Sequence, residues 1–389
     1  MRRLFAIVFS AALLLIGSAQ GTWAQKAKFY DLGYYPGGSW AEPRDINNVG
    51  VVVGYGDIPS GYTRPIGVPV FGPQAGQWFD LGTLGGDRTD SEVMCMAIAD
   101  TGMIVGHSAI VGNEIVHAFA WTPGSGMVDI GTLADLGYSG YNFSLGFGTN
   151  RSGTLIAGWS GSGFDSADTL PVVWTPKVAW NSGQWKITWQ IQKLDTTGFE
   201  AFSSWTAMFA NDHGQIIGTA IGVDGVQIAV LWNPILFGKG WKIMQLPNFS
   251  ADYPSAEPLD INNNGEIVGD VATQDWSTYF PALWKPIQPF GNAYSLTVLP
   301  TRAGYLQGVG DGEGINDLGD IVGGSTDANG NYYATRWSTK DPNLVPTVLP
   351  VPPHPGTWSW ATKVNNNGVA AGSYGSKHVP ENTAAWTLR

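Results

Sequence analysis

The sequence predicts an all-β fold, a seven-bladed β-propeller, on three observations. Seven glycines, Gly50, Gly102, Gly153, Gly214, Gly265, Gly319 and Gly368, recur in one local pattern at intervals of 52, 51, 61, 51, 54 and 49 residues. Self-similarity at such a period marks a repeat architecture in which each copy is one supersecondary unit. Two further landmarks keep step with the glycines. An apolar stretch ends in Trp121, Trp174, Trp232, Trp284, Trp337 and Trp386, with Phe71 in the first copy, and another ends at Leu32, Leu81, Ile130, Leu194, Leu246, Leu299 and Leu349. The third observation is the phase. The array opens on a fourth-strand sequence, Phe29-Tyr30-Asp31-Leu32, and ends on a third-strand sequence, Thr383-Ala384-Ala385-Trp386. Neither end makes a complete unit; joined, they make one, so the N-terminal strand is expected to complete the C-terminal blade and close the ring without an open edge. A linear β-solenoid is the competing architecture.

Taken in order, residues 1–24 read as an export signal: Arg2 and Arg3 precede an apolar run over 6–16, and Ala19 and Ala24 offer cleavage points. Residues 25–389 then form a single propeller domain. No later segment approaches the roughly 20 apolar residues of a spanning helix, so no membrane insertion is expected. Alternation and β-branched content divide one repeat into four short strands, over 259–262, 266–272, 280–284 and 295–299. With 53 glycines and 24 prolines, no long helix is expected. Between strands one and two, the Asn-x-x-Gly element, with Asp260, Asn262 and Asn264 before Gly265, opens like a calcium loop, but the twelfth position from Asp260 is Val271 where a bidentate Glu belongs. A tight turn is expected instead, with the Asn side chain on backbone N–H groups and the glycine supplying positive φ. The recurring tryptophans are expected to fill the wedge between neighbouring sheets. Pro123, Pro176, Pro234 and Pro286, two residues behind four of them, are expected to end strand three.

Composition narrows the partners. The formal charge of −11 becomes −13 once Arg2 and Arg3 leave with the signal. An acidic surface with scattered Lys and Arg repels nucleic acid and anionic lipid. Cys95 is the single cysteine, which excludes an internal disulfide, and it is expected to be buried. A monomer is expected.

The second repeat contains His117-Ala118-Phe119-Ala120-Trp121 after Ala97-Ile98-Ala99-Asp100-Thr101-Gly102-Met103-Ile104-Val105-Gly106, and before both comes Asp80-Leu81-Gly82-Thr83-Leu84-Gly85-Gly86. Together these resemble the bacterial extracellular repeat family named HAF after its His-Ala-Phe tripeptide. The resemblance spans residues 25–389, although the tripeptide is intact in one repeat and Leu-Gly-Thr-Leu-Gly-Gly only at 81–86. It implies export and repetition, and no defined activity comes with it.

Signatures of metalloproteases, P-loops, nucleophile elbows and zinc sites are missing. Gly308, Gly310, Gly312 and Gly314 superficially resemble a dinucleotide loop, but they precede a strand. His107, His117, His213, His354 and His378 show no ligand spacing. The informative residues are those that do not repeat. The segments from strand four to the next strand one, which surround the channel mouth, concentrate aromatics and carboxylates. From them Tyr35, Trp40, Asp90, Glu92, Tyr141, Glu200, Trp205, Tyr253, Asp311, Trp358 and Trp360 are candidate binding residues. Aromatic faces suit sugar C–H groups and carboxylates accept from hydroxyls. The expected function is therefore a secreted or periplasmic, non-enzymatic propeller that binds a polysaccharide or another exported protein, with no catalytic residues and no cofactor. The alternative is a glycoside hydrolase or lyase using two of Asp87, Asp90, Glu92, Glu200, Glu257, Asp311 and Glu313. A channel-bound Ca²⁺ with a stabilising role is a further expectation.

Overall fold

The computed structural model describes residues 27–389 apart from 87–92, 165, 182–183, 236–239, 289–290, 353–355 and 377–378. The export signal expected at 1–24 lies outside them, as do Asp87, Asp90, Glu92, His354 and His378. The described chain forms seven sheets of four antiparallel strands, arranged as the blades of a β-propeller. Blades 1 to 6 each run outward in chain order, with strand one innermost. Blade 7 is made from both ends of the chain. Lys28–Gly33 pairs with Val379–Thr387 in the register Phe29↔Trp386, and the Phe29 ring meets Tyr374 edge-on at 5.2 Å. The ring is thus closed by strand pairing, and no linear stack is present.

Strand two lies between two covered faces, which explains runs such as Ile267–Ala272, buried at every position. The tryptophans ending strand three seal the seams. Trp174, Trp232, Trp284, Trp337 and Trp386 are fully buried. The indole N–H groups of Trp284, Trp337 and Trp386 donate to the carbonyls of Pro247, Pro300 and Pro350, just after the preceding blade's fourth strand. Two positions differ from expectation. In blade 1 the partner of Val52, where other blades carry tryptophan, is the buried Val68, while Phe71 is 39 % exposed. Trp121 is only half-buried and stacks on Phe79 at 6.1 Å, beside a cleft of about 410 Å³ in the seam between blades 1 and 2. Pro176 also departs from its expected role: strand three of blade 3 continues through it over Leu170–Asn181 and pairs with Gln184–Lys193 in an extended hairpin.

The Asn-x-x-Gly element is a turn, and it also joins blades. Gly265 adopts φ 75°, and the Asn262 carboxamide oxygen accepts from Glu266 N at 2.9 Å. The Asn262 Nδ2 group then donates to the Asn316 carbonyl of the next blade at 3.0 Å. Asn211 reaches Asn262, Asn316 reaches Asn365, Asn365 reaches Asn47 and Asn47 reaches Ala99 in the same way. A chain of amide bonds therefore links blades 4, 5, 6, 7, 1 and 2 on the lower face of the ring.

The second glycine of each repeat answers a different need. In every blade the innermost strand carries a β-bulge at one level, between Pro43/Asp45, Cys95/Ala97, Gly146/Gly148, Ala207/Phe209, Pro258/Asp260, Gly312/Gly314 and Ala361/Lys363. The bulge presses strand one onto strand two. A methyl group at Gly269 would overlap the Glu257 carbonyl oxygen, and Gly54, Gly106, Gly158, Gly218, Gly323 and Gly372 are crowded alike. A bulge also breaks the two-residue alternation of a strand. Strand one of blade 5 accordingly begins at Ser255, four residues before the expected start, because Pro258 and the bulge hide it. Glu257, Asp311, Glu313, Trp205, Trp358 and Trp360 lie within innermost strands rather than in loops.

Candidate ligand chamber in the channel

The bulge leaves one residue per blade unpaired at the channel: Arg44, Met96, Phe147, Met208, Leu259, Glu313 and Thr362. Each stands six positions before its blade's turn glycine, from Arg44 before Gly50 to Thr362 before Gly368. A bulge re-aims a side chain out of the alternation of its strand. Here all seven line one chamber of about 350 Å³, joined by Met94, Leu145 and Glu257 from the turn of strand above, and by His107 and Phe164. Arg44, Met96, Phe147, Glu257, Leu259 and Glu313 keep part of their surface open.

The chamber has a floor. The Lys363 ammonium lies over the Phe209 ring, 3.9 Å from its centroid, and donates to the carbonyls of Leu259 and Glu313 at 2.7 and 2.9 Å. Such contact between a cation and a ring face is favourable when water is excluded. Asp260 stands 3.5 Å from the same ammonium. Below, Arg151 crosses the axis to the carbonyls of Ile46 and Val364 at 3.1 and 3.3 Å. The space left beneath the floor is about 30 Å³, room for about one or two waters. The channel is a cup that opens on the strand-one entry side, closed below.

Its walls are unlike one another. Blades 2 to 4 contribute thioethers, rings and one aliphatic side chain: Met94, Met96, Leu145, Phe147, Phe164, Met208 and Phe209. Blades 5 and 6 contribute carboxyls. Glu257 and Glu313 line the chamber, and Asp270 and Asp311 stand behind them. Asp311 accepts from Gly324 N at 2.8 Å, from Trp360 Nε1 at 3.1 Å and from the Tyr332 hydroxyl. Asp270 accepts from Gly312 N at 3.0 Å. Burial, followed by the neighbouring Asp311 charge, pushes the Glu313 carboxyl up to about 8, and burial pushes Asp311 to about 6. Burial raises Glu257 and Asp270 as well. The Glu313 carboxyl therefore holds its proton near neutrality, which lets it donate as well as accept.

His107 sits between the rings of Phe147 and Phe164, at 6.5 and 6.1 Å, and is 2 % exposed. Neither ring nitrogen has a hydrogen-bond partner of good geometry, although the Gly146 backbone lies nearby. Burial pushes its pKa down to about 3, so the imidazole is neutral. Among the described residues no group of three or more His, Cys, Asp or Glu is arranged to hold a metal ion.

Of the residues singled out in the sequence, Asp311 and Trp360 are brought together beside the acidic wall, and Glu257 and Glu313 of the hydrolase alternative lie in that wall. The others disperse. Trp205 is 2 % exposed and packs against Trp232 at 6.2 Å, so its ring serves the core of blade 4 and has no face to offer a ligand. Tyr253 packs on Phe249 and Phe280, and Tyr141 on Tyr138. Trp40 stands edge-on to Tyr55 at 5.5 Å, and Trp358 covers Gly375. Tyr35 closes a turn through its carbonyl, and the exposed Glu200 caps Gly198 N at 2.9 Å. Asp90 and Glu92 lie outside the described residues. Arg44, Met96, Phe147, His107, Asp270 and Lys363 were not singled out. The constant six-residue offset from the turn glycine is the signal that finds the bulge residues.

No family model matches the sequence, and no curated protein matches it. Solved structures match the fold. The β-propeller domain of the Trilobed protease from Pyrococcus furiosus superposes with a TM-score of 0.52 at 10 % identity, over 90 % of this chain and 96 % of that one. That domain is described as having an open velcro topology, whereas here strand pairing closes the ring. A post-proline cleaving enzyme from Rickettsia typhi gives 0.53 at 11 % identity, over 87 % of this chain and 50 % of its own. Puromycin hydrolase gives 0.51 at 12 %, over 91 % and 54 %. The chain spans about half the length of these two enzymes, and likenesses at such identity carry the fold alone.

Proposed function

We propose that the chain is an exported, non-catalytic recognition module that receives the end of an extracellular glycan in the upper chamber. One observation carries this reading. Seven bulges at one register position place seven side chains around one cup, and those side chains are not a repeated set. Arg, Met, Phe, Met, Leu, Glu and Thr meet no shared packing need, whereas glycine, asparagine and tryptophan recur wherever the scaffold requires them. A volume of about 350 Å³ falls in the range of about 300–1,000 Å³ typical of small-ligand pockets. Apolar rings and thioethers suit the C–H faces of a sugar, and the carboxyls supply acceptors for its hydroxyls, with a donor at protonated Glu313. Export is supported by the N-terminal 1–24 pattern and by the resemblance to HAF repeats.

The test is a glycan array probed with the purified chain and with Met96→Trp, which fills the chamber and leaves the outer surface alone. Binding by the parent and its loss in Met96→Trp, at an unchanged melting temperature, are the expected results. Equal binding by both proteins removes the chamber from consideration.

A second reading follows from Glu257 and Glu313 sharing one cup, since two carboxyls across a glycosidic bond are what its hydrolysis uses. Release of reducing ends from a bound oligosaccharide, abolished separately by Glu257→Gln and Glu313→Gln, would replace binding with hydrolysis as the function.

A further inference from the structure

The acidic wall has no ion-paired cation, although the charges of Lys363 and Arg44 act on Glu313 and lower its pKa. Among the described residues, Glu257, Asp270, Asp311 and Glu313 make no ion pair. The two basic groups that face the chamber are engaged elsewhere. Arg44 pairs with Glu42 at 2.9 Å, and Lys363 is held by two carbonyls with Asp260 beside it. Tyr279 and Tyr332 also face the cluster, and burial keeps their hydroxyls protonated. Burying unpaired carboxyls side by side is costly and is relieved by protons or by an arriving cation. Across the cup, the buried His107 ring lines the same chamber, and neither of its nitrogens has a hydrogen-bond partner of good geometry beyond the nearby Gly146 backbone.

We propose that the chamber's ligand carries a primary ammonium group seated against Glu257 and Glu313, with its apolar face against Phe147 and Met96: in glycan terms, a terminal amino sugar. This rests on the glycan reading of the same chamber. An acetamido group would bring no charge to the acidic wall, and a hydroxyl would only exchange neutral hydrogen bonds. Seating an ammonium there drives protons off the carboxyls. Binding is then coupled to proton release and strengthens as the pH rises from 5 toward 7, because more of the wall is ionised beforehand.

The experiment compares three β-linked tetrasaccharides of one backbone that differ only at carbon 2: cellotetraose, its fully acetamido counterpart and its fully deacetylated amino counterpart. Calorimetry at pH 6.5 in two buffers of different ionisation enthalpy reads affinity and protons together. The amino form is expected to bind at least about tenfold more tightly than the other two, the difference a hydrogen bond to a charged group makes. It should release protons, and both effects should disappear in Glu313→Gln and in Glu257→Gln, with folding of each checked by its melting curve. Equal binding of all three tetrasaccharides overturns the ammonium seat and leaves the glycan reading intact. If none binds, hexylammonium separates the two ideas. A rise in melting temperature that Glu313→Gln abolishes keeps the seat and discards the glycan, and no rise discards both. A Ca²⁺ titration with the same dependence on Glu313 would make the wall a metal site and overturn the proposal.

Discussion

The lower and upper ends of the channel are built from the same seven strands and obey opposite rules. At the lower end each position repeats: asparagine three residues before the turn glycine in six of seven blades, each copy closing its own turn and most reaching the next blade. At the upper end, three residues earlier in the same strands, nothing repeats, and the side chains line a cup rather than one another. In a symmetric scaffold, repetition marks what the scaffold needs. Departure from it marks what the scaffold is for.

Mutations should separate the two ends. The largest effect belongs to a repeated position: Trp284→Ala, at a fully buried wedge, is expected to cost about 3–5 kcal/mol in denaturant unfolding. Next is Gly269→Ala, whose methyl meets the Glu257 carbonyl at the bulge, at about 3 kcal/mol. Asn365→Ala removes the bond at 2.8 Å that joins blade 7 to blade 1, leaves the buried Asn47 carbonyl without it, and should cost about 1–3 kcal/mol. Phe147→Ala, in the part-open cup, should leave unfolding nearly unchanged while removing ligand binding. A Phe147→Ala protein as unstable as Trp284→Ala would place the chamber among the scaffold positions and erase the distinction.

The smallest effect is one of pH, and its sign sharpens the comparison. Glu313 and Asp311 have folded values near 8 and 6, above the ordinary 4.5 and 3.8. An acid held protonated by the fold stabilises fully below its ordinary value, and that contribution is lost as the pH climbs through the folded value. The melting temperature should therefore fall between about pH 6.5 and 8, and Glu313→Gln should flatten that fall. His107, pushed down to about 3 from 6.5, acts in the other direction and costs stability as the solution is acidified. A melting temperature independent of pH from 6.5 to 8, above the range in which His107 acts, would show that the acidic wall is not buried as described.

Blade number, strand count and head-to-tail closure were legible because each is stated seven times or by the two ends of the chain. The turn role of the asparagines was legible too, from side-chain chemistry that acts within four residues. Their bonds to the next blade were not, since the partner lies about one repeat away in sequence. The site was legible only in outline. Asp311, Glu313, Glu257 and Trp360 stood out as unrepeated polar or aromatic residues. They were read as loop because the bulge and Pro258 break the alternation that identifies a strand. Arg151 and Lys363 close the channel through carbonyls 105 and 104 residues away, contacts that no local pattern announces. In blade 1 the wedge position was assigned to Phe71 because it is aromatic, while Val68 fills it in the seam with blade 7.

The most direct measurement is a crystal structure of the chain with an oligosaccharide selected on the array. Density in the upper cup, hydrogen-bonded to Glu257 or Glu313 and lying against Phe147, is the predicted result. An empty cup with the sugar in the seam cleft beside Trp121, or on the outer blade surfaces, would contradict the assignment of function to the unrepeated bulge positions.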